Sequence, residues 1–271
     1  MKWGEPRTTK DLNIVEVTWE MPDGIVSLPA SWLCESKIIG DQVPMQIDRY
    51  TGNPLIKYDE NILKNFPKLK DIQLSEDTRE DNYYDNIHVF YQLYVRTGDN
   101  EFFKAARRDA VYYRDKEIIQ DGPEKGKNVK YEQTRYVYVQ AMADDYLLTG
   151  DNKSLKVAGY MTDYLKDTFP PAKAFVSINH FRFWTEREAA FPFLGVITYY
   201  ELTGKTEYFE LAKQYMENLY KTQILRPDRG GFIHNMYFCA KSVGAKINEY
   251  GGCPFMTGLL LEPIVEYHQI T

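Results

Sequence analysis

The sequence predicts a mainly all-α chain of repeated helical hairpins behind a short β-containing N-terminal segment. Three observations carry that class. A short pattern recurs at Tyr94-Val-Arg-Thr97-Gly98-Asp99, Tyr146-Leu-Leu-Thr149-Gly150-Asp151 and Tyr200-Glu-Leu-Thr203-Gly204-Lys205, at spacings of 52 and 54 residues. Each Thr is followed six residues on by a large apolar side chain (Phe103, Leu155, Phe209) and nine on by Ala106, Ala158 or Ala212. The connections alternate as well: they are tight after each Thr-Gly and long at 117–131, 168–184 and 223–252. One hairpin cannot bury its own apolar face, so units of this size stack side by side.

Taken in order, residues 1–75 read as an N-terminal segment distinct from the rest. Ile14-Val-Glu-Val-Thr-Trp19 alternates as a strand does and Gly24-Ile-Val-Ser-Leu28 offers a second, while Pro29, Gly40, Pro44, Gly52 and Pro54 interrupt the stretch beyond. Residues 76–271 form the helical-hairpin domain, with helices expected near 82–97, 100–116, 132–148, 152–167, 185–202, 206–222 and 253–270. Gly98, Gly150 and Gly204 are expected at positive φ as C-caps, and the Asp or Lys after each opens the next helix. The helices starting near 82, 132, 185 and 253 carry small residues such as Ala141, Ala189 and Gly195, which suits a closely packed inner row. A fourth copy begins at Tyr267-His-Gln-Ile270-Thr271. The sequence is therefore expected to be truncated within a repeat, completed by a C-terminal continuation or an oligomeric partner.

Composition narrows the function classes. A net charge of -6 gives no basic face, so nucleic-acid binding is not expected. The chain has 22 Tyr, side chains with an apolar body and a polar tip that serve both helix packing and sugar clefts. Cys34, Cys239 and Cys253 form no metal or disulfide pattern, His ligand spacing is lacking, and no cofactor is expected. No run approaches a membrane span and the N-terminus lacks a signal peptide, so the default location is cytoplasmic, or secreted or assembly-associated if the chain is a fragment.

The Tyr-x-x-Thr-Gly-Asp turns, Trp184-Thr-Glu-Arg-Glu188 opening one helix and Gly251-Gly-Cys-Pro-Phe-Met-Thr-Gly258 opening the last together resemble the α/α-toroid, six-hairpin glycosidase-like group. That group includes unsaturated glucuronyl hydrolases, N-acylglucosamine 2-epimerases and toroid domains of polysaccharide lyases. The resemblance covers residues 81–271. It implies a partial α/α toroid whose inner helices precede the short turns, and a cleft where the long links converge. It also implies a carbohydrate-active protein, a glycoside hydrolase or polysaccharide lyase, acting on an oligo- or polysaccharide that contains uronate.

Aligning the repeats on their Thr sets Asp81-Asn-Tyr-Tyr-Asp85, Gln133-Thr-Arg-Tyr136 and Arg187-Glu188 at one end of the bundle. Acidic residues in first turns also serve as caps, and Thr185 with Glu188 matches a capping box. For hydrolysis, the candidate acid and base are Asp85, Glu132 and Glu186, which different hairpins direct toward one cleft. For elimination, the candidates are His234 and Tyr250. Arg135, Arg182 and Arg187 are candidate carboxylate binders, Tyr83, Tyr84 and Trp184 stacking platforms, and His180 and Asn235 further substrate contacts. An epimerase would use His180 and His234 as a facing pair. A non-catalytic helical scaffold or sugar-binding module is the alternative from another class.

Overall fold

The computed structural model describes residues 28–45, 54–69, 71, 73–77, 82–172, 186–225, 232 and 253–271. Among them lie nine α-helices and no strand: Ala30–Glu35 (α1), Pro54–Leu69 (α2), Asn86–Thr97 (α3), Asn100–Tyr112 (α4), Val139–Thr149 (α5), Asn152–Thr168 (α6), Glu186–Thr203 (α7), Thr206–Leu225 (α8) and Pro254–Gln269 (α9). The expected strand at 14–19, and all of the one at 24–28 but Leu28, lie outside the described residues. The segment expected to be irregular contains α1 and α2. Pro54 breaks the preceding chain and opens α2 at its first position, where a missing N–H costs nothing, so the same residue reads as a breaker from one side and a helix start from the other.

The repeat has a physical basis at each turn. The Gly N–H donates to the Tyr carbonyl four residues back at 2.7 Å in all three copies, and φ is 72, 73 and 64° at Gly98, Gly150 and Gly204. The Thr hydroxyl donates to its own i-4 carbonyl, from Thr97 to Leu93 and from Thr203 to Tyr199 at 2.7 Å, and from Thr149 to Asp145. The same oxygen accepts the N–H of Asp99, Asp151 or Lys205 two residues on. Asp99 and Asp151 then cap α4 and α6, accepting from Glu101 and Lys153 N–H. In the fourth copy Thr271 Oγ1 likewise donates to the Tyr267 carbonyl at 3.1 Å.

These turns fold α3/α4, α5/α6 and α7/α8 into three hairpins. The preceding helices form a front row, α3 against α5, α5 against α7 and α7 against α9, and the others stand behind, α4 against α5 and α6 against α7. Ala189 is buried on α7, and a Cβ at Gly195 would stand 3.0 Å from Leu165 and 3.1 Å from Val139, so small residues do permit the close approach of this row. Ala106, Ala158 and Ala212, the repeat's ninth position, are fully buried. One apolar cluster joins α1 to α6, a second joins α7, α8 and α9, and Tyr199 packs against both.

A buried ionic network fastens the first hairpin to the second. Arg107 on α4 donates to Asp145 Oδ2 at 2.5 Å and to Asp151 Oδ2 at 2.7 Å, and Arg114 donates to the same Asp151 oxygen at 2.6 Å. Tyr91 of α3 and Ser154 of α6 donate to Asp145, whose side chain has no exposure at all. Asp151 therefore caps α6 with one oxygen and receives two guanidiniums with the other, and their proximity holds its carboxyl below the usual range even though burial acts the other way.

Gly150→Ala and Gly204→Ala, whose new Cβ atoms meet open space, should each cost about 1 kcal/mol in chemical denaturation. Gly98→Ala should cost more, because its Cβ would stand 2.8 Å from the Leu28 carbonyl oxygen. Arg107→Met should destabilise by about 3–5 kcal/mol, since it strands Asp145 without its cation; a loss under about 1 kcal/mol would show the network to be peripheral.

Candidate functional site

Four residues expected at the site from sequence converge at the N-terminal end of the front row. Tyr83, Arg135 and Arg187 stand 52 residues apart in turn, one from each repeat. Arg187 Nη1 donates to Tyr83 Oη at 2.9 Å and to Tyr84 Oη at 2.7 Å. The Arg135 guanidinium lies 5.4 Å from the Tyr83 ring centre and 5.2 Å from that of Tyr136. Tyr131 stacks on Tyr136 at 3.9 Å, and Phe255 of α9, largely exposed, meets Tyr84 edge-on at 5.5 Å. Among the described residues neither Arg135 nor Arg187 is bonded to a carboxylate, although the neighbouring Glu188 charge acts on Arg187, and the Nε atom of each is buried without a hydrogen bond. Two positive, planar groups surrounded by phenol rings can receive an anion and stack a flat apolar face.

The chain enters this cluster by irregular turns rather than by the helix starts expected at 82 and 132. α3 begins at Asn86, after Tyr84 and Asp85 in left-handed conformation with φ of 66 and 63°. α5 begins at Val139, after a 3-10 turn at Thr134–Tyr136. Hydroxyls hold the two turns in place: Tyr113 Oη donates to the Tyr136 carbonyl and accepts the Tyr138 N–H, and Tyr138 Oη accepts the Tyr84 N–H at 2.9 Å.

The three candidate carboxylates occupy different places. Asp85 is buried as the N-cap of α3, accepting from His88 N–H at 3.2 Å. Glu132 is exposed and paired with Lys127 at 3.2 Å. Glu186 is buried at the start of α7 and accepts the Cys253 N–H at 3.1 Å, with Thr257 Oγ1 at 3.4 Å, so its charge faces the positive end of α9. Glu188 reaches the previous repeat, where Thr134 Oγ1 lies 2.7 Å from Oε2 and 3.1 Å from the Glu188 carbonyl. Pro192 removes that carbonyl's helical donor, and Thr134 stands in for it. His180, Arg182, Trp184, Thr185, His234, Asn235 and Tyr250 lie outside the described residues.

A second polar region lies further along the same four helices, and the reading of the repeats missed it. It is a cavity of about 610 Å³ walled by α3, α5, α7 and α9 and by the loop from Lys37 to Gln42. His88 Nδ1 lies 2.5 Å from Asp144 Oδ2, its Nε2 faces the Gln92 amide at 2.8 Å, and Glu201, Glu262 and Glu266 line the opposite wall. Burial works against a charge on His88, but the Asp144 carboxylate, with Asp85 and Glu262, overcomes it and sets the imidazole pKa at about 9. Burial, then Glu201 and Glu262, push Glu266 to about 7. A usable signal was present: His88 with Gln92, Gln140 with Asp144 and Glu262 with Glu266 are polar pairs at i,i+4 on helices otherwise read as buried.

No family model, curated protein or solved structure matches this chain. Among the described residues, no helix is long and apolar enough to cross a membrane.

The His88 pKa lies above its unfolded value of about 6.5, so its stabilisation is complete below that pH and is lost as pH rises through about 9. Thermal denaturation should show stability falling across that window by on the order of 3 kcal/mol. Asp144→Asn should flatten the fall. An unchanged slope in that variant would remove the ion pair as its cause.

Proposed function

We propose that this is a carbohydrate-active protein of the α/α-toroid kind, binding a uronate-containing oligo- or polysaccharide at the arginine and tyrosine cluster. The observation that carries the reading is the meeting of Arg135 and Arg187 around Tyr83 with no carboxylate among the described residues bonded to either guanidinium and the Nε atom of each unpaired. A uronate supplies what those groups lack. Its carboxylate pairs with a guanidinium, and its ring offers an apolar face to Tyr83, Tyr84 or Tyr136. Front helices that precede the short turns, backed by a second row, support the toroid reading of the repeats.

A catalytic protein would act as a glycoside hydrolase or polysaccharide lyase, with proton transfer from Asp85, Glu186 or the histidine and tyrosine of the long links. One observation favours the non-catalytic sugar-binding reading instead. Glu132 is engaged by Lys127 in solvent and Glu186 by the start of α9, so neither is spare for acid–base work in this arrangement. A sugar epimerase stands as the third reading and requires His180 and His234 to face one substrate.

Calorimetric titration with uronate oligosaccharides and their carboxyl-reduced counterparts tests the binding claim. Uronate forms should bind, reduced forms should bind much more weakly, and Arg135→Gln or Arg187→Gln should each cost about 1.5–3 kcal/mol, roughly tenfold to a hundredfold in affinity. Equal affinity for both forms would sink the uronate assignment. New reducing ends report hydrolysis, unsaturated-product absorbance reports elimination, and binding without either identifies a sugar-binding module.

A further inference from the structure

The turn that delivers Tyr84 to Arg187 is strained, and its strain borders a titrating cluster. Tyr84 and Asp85 are consecutive non-glycine residues in the left-handed region, and Tyr84 lacks the short polar side chain that eases such a conformation. Beyond the helical bond from Val89 N–H to the Asp85 carbonyl, further hydrogen bonds hold them there. Asp85 N–H donates to the Asn82 carbonyl at 3.1 Å and its Oδ1 accepts from His88 N–H at 3.2 Å. Tyr84 N–H donates to Tyr138 Oη at 2.9 Å, and Tyr84 Oη accepts from Arg187 at 2.7 Å. Beside them Asn82 is buried with both amide atoms unpartnered, so the closed turn carries a further cost that opening to water would relieve.

The Asp85 carboxyl is buried, 6% exposed, and its surroundings are short of positive charge. From its own helix His88 faces it, a cation already held by Asp144 of α5 at 2.5 Å. Asp144 itself faces Asp85 as a like charge, and the Ala141 N–H of α5 is a neutral donor. Tyr138 and, from the turn after α4, Tyr113 lie within its field, and Glu117 is next beyond Tyr113. Across the cavity Glu262 and Glu266 of α9 compete for the same imidazole. Arg107 is committed to Asp145 and Asp151.

We propose that the Tyr84–Asp85 turn is a latch that is closed while the Asp85 carboxyl keeps its proton and opens when it ionises, withdrawing the Tyr84 ring from Arg187. Linkage sets the direction. In the closed turn burial lifts the Asp85 pKa to about 7, whereas an Asp85 released to water returns toward its ordinary value of about 4, and the form with the lower pKa gains as pH rises. Opening also relieves two left-handed residues. Loss of the His88 charge at higher pH removes the cation nearest Asp85 and acts in the same direction. Opening removes one of the two phenols bonded to Arg187 and the ring packed edge-on against Phe255, so the latch regulates the arginine and tyrosine cluster whatever ligand that cluster takes.

Hydrogen–deuterium exchange of the peptide spanning 82–92, corrected for the intrinsic pH dependence of exchange, tests the latch in the protein without ligand. The wild type should lose protection there as pH rises through about 7, while α6 stays protected. Asp85→Asn, which keeps an acceptor for His88 N–H, tolerates the left-handed region and cannot ionise, should stay protected throughout. His88→Gln removes the cation that stabilises an ionised Asp85 inside the closed turn, so it should deepen the loss of protection at the top of the pH range, which keeps the proposal testable if the Asp85 variant does not fold. A pH-independent wild type, a transition that survives in Asp85→Asn, or fuller protection at high pH in His88→Gln than in the wild type would each overturn it.

Discussion

The Arg107–Asp145–Asp151–Arg114 network is the constraint from which the first two hairpins take their relation. It joins α4, α5 and the turn before α6, with Tyr91 adding α3. Desolvating four charges is costly, and it is offset here by direct pairing and by donors on the remaining carboxylate oxygens. Such pairs specify geometry more than they add stability. Aliphatic packing tolerates sliding of one helix along another, whereas two guanidiniums sharing one Asp151 oxygen do not. The front row inherits its register from that fixed point, because Asp144, which faces the cavity, is the immediate neighbour of Asp145, which faces the network.

Charge is segregated along the front row. Its N-terminal end carries two guanidiniums among tyrosines, and its middle and C-terminal part carries carboxyl groups around His88. The buried network behind is balanced pair for pair, whereas among the described residues the first region is rich in cations and the second in carboxyl groups. Stability alone favours neutralising such groups, so their grouping on the front face of four helices marks a functional-site candidate. The Tyr84–Asp85 turn is the covalent bridge between the regions, with one residue bonded into each.

Legibility differed between the two regions for a definite reason. Tyr83, Arg135 and Arg187 were found because they precede or open helices at equal repeat spacing, and repeats carry equivalent positions to equivalent heights. Asp85, Glu132 and Glu186 lie close to those residues in the chain but not together in space. A lysine in the same link takes Glu132, the N-terminus of α9 takes Glu186, and Asp85 turns inward as a cap. Height on a bundle is set by chain position, while direction is set by the last one or two backbone torsions. The 3-10 turn at Thr134 and the left-handed pair at Tyr84 and Asp85 changed those torsions without leaving a glycine to announce it.

By itself the sequence determined the helical hairpins, because each turn is closed locally: the Gly N–H and the Thr hydroxyl, and in the first two copies the Asp carboxylate, find their partners within four residues. It also placed Tyr83, Arg135 and Arg187 at corresponding points of the three repeats, 14, 14 and 16 residues before the turn Thr. Tertiary structure alone decided which polar groups inside helices face one another. His88 and Asp144 are 56 residues apart, and Gln140 and Glu262 are 122 apart. No local pattern encodes such pairs, because their contact depends on how the helices of the front row are set against one another, and that setting is fixed by buried packing and by the ionic network behind it.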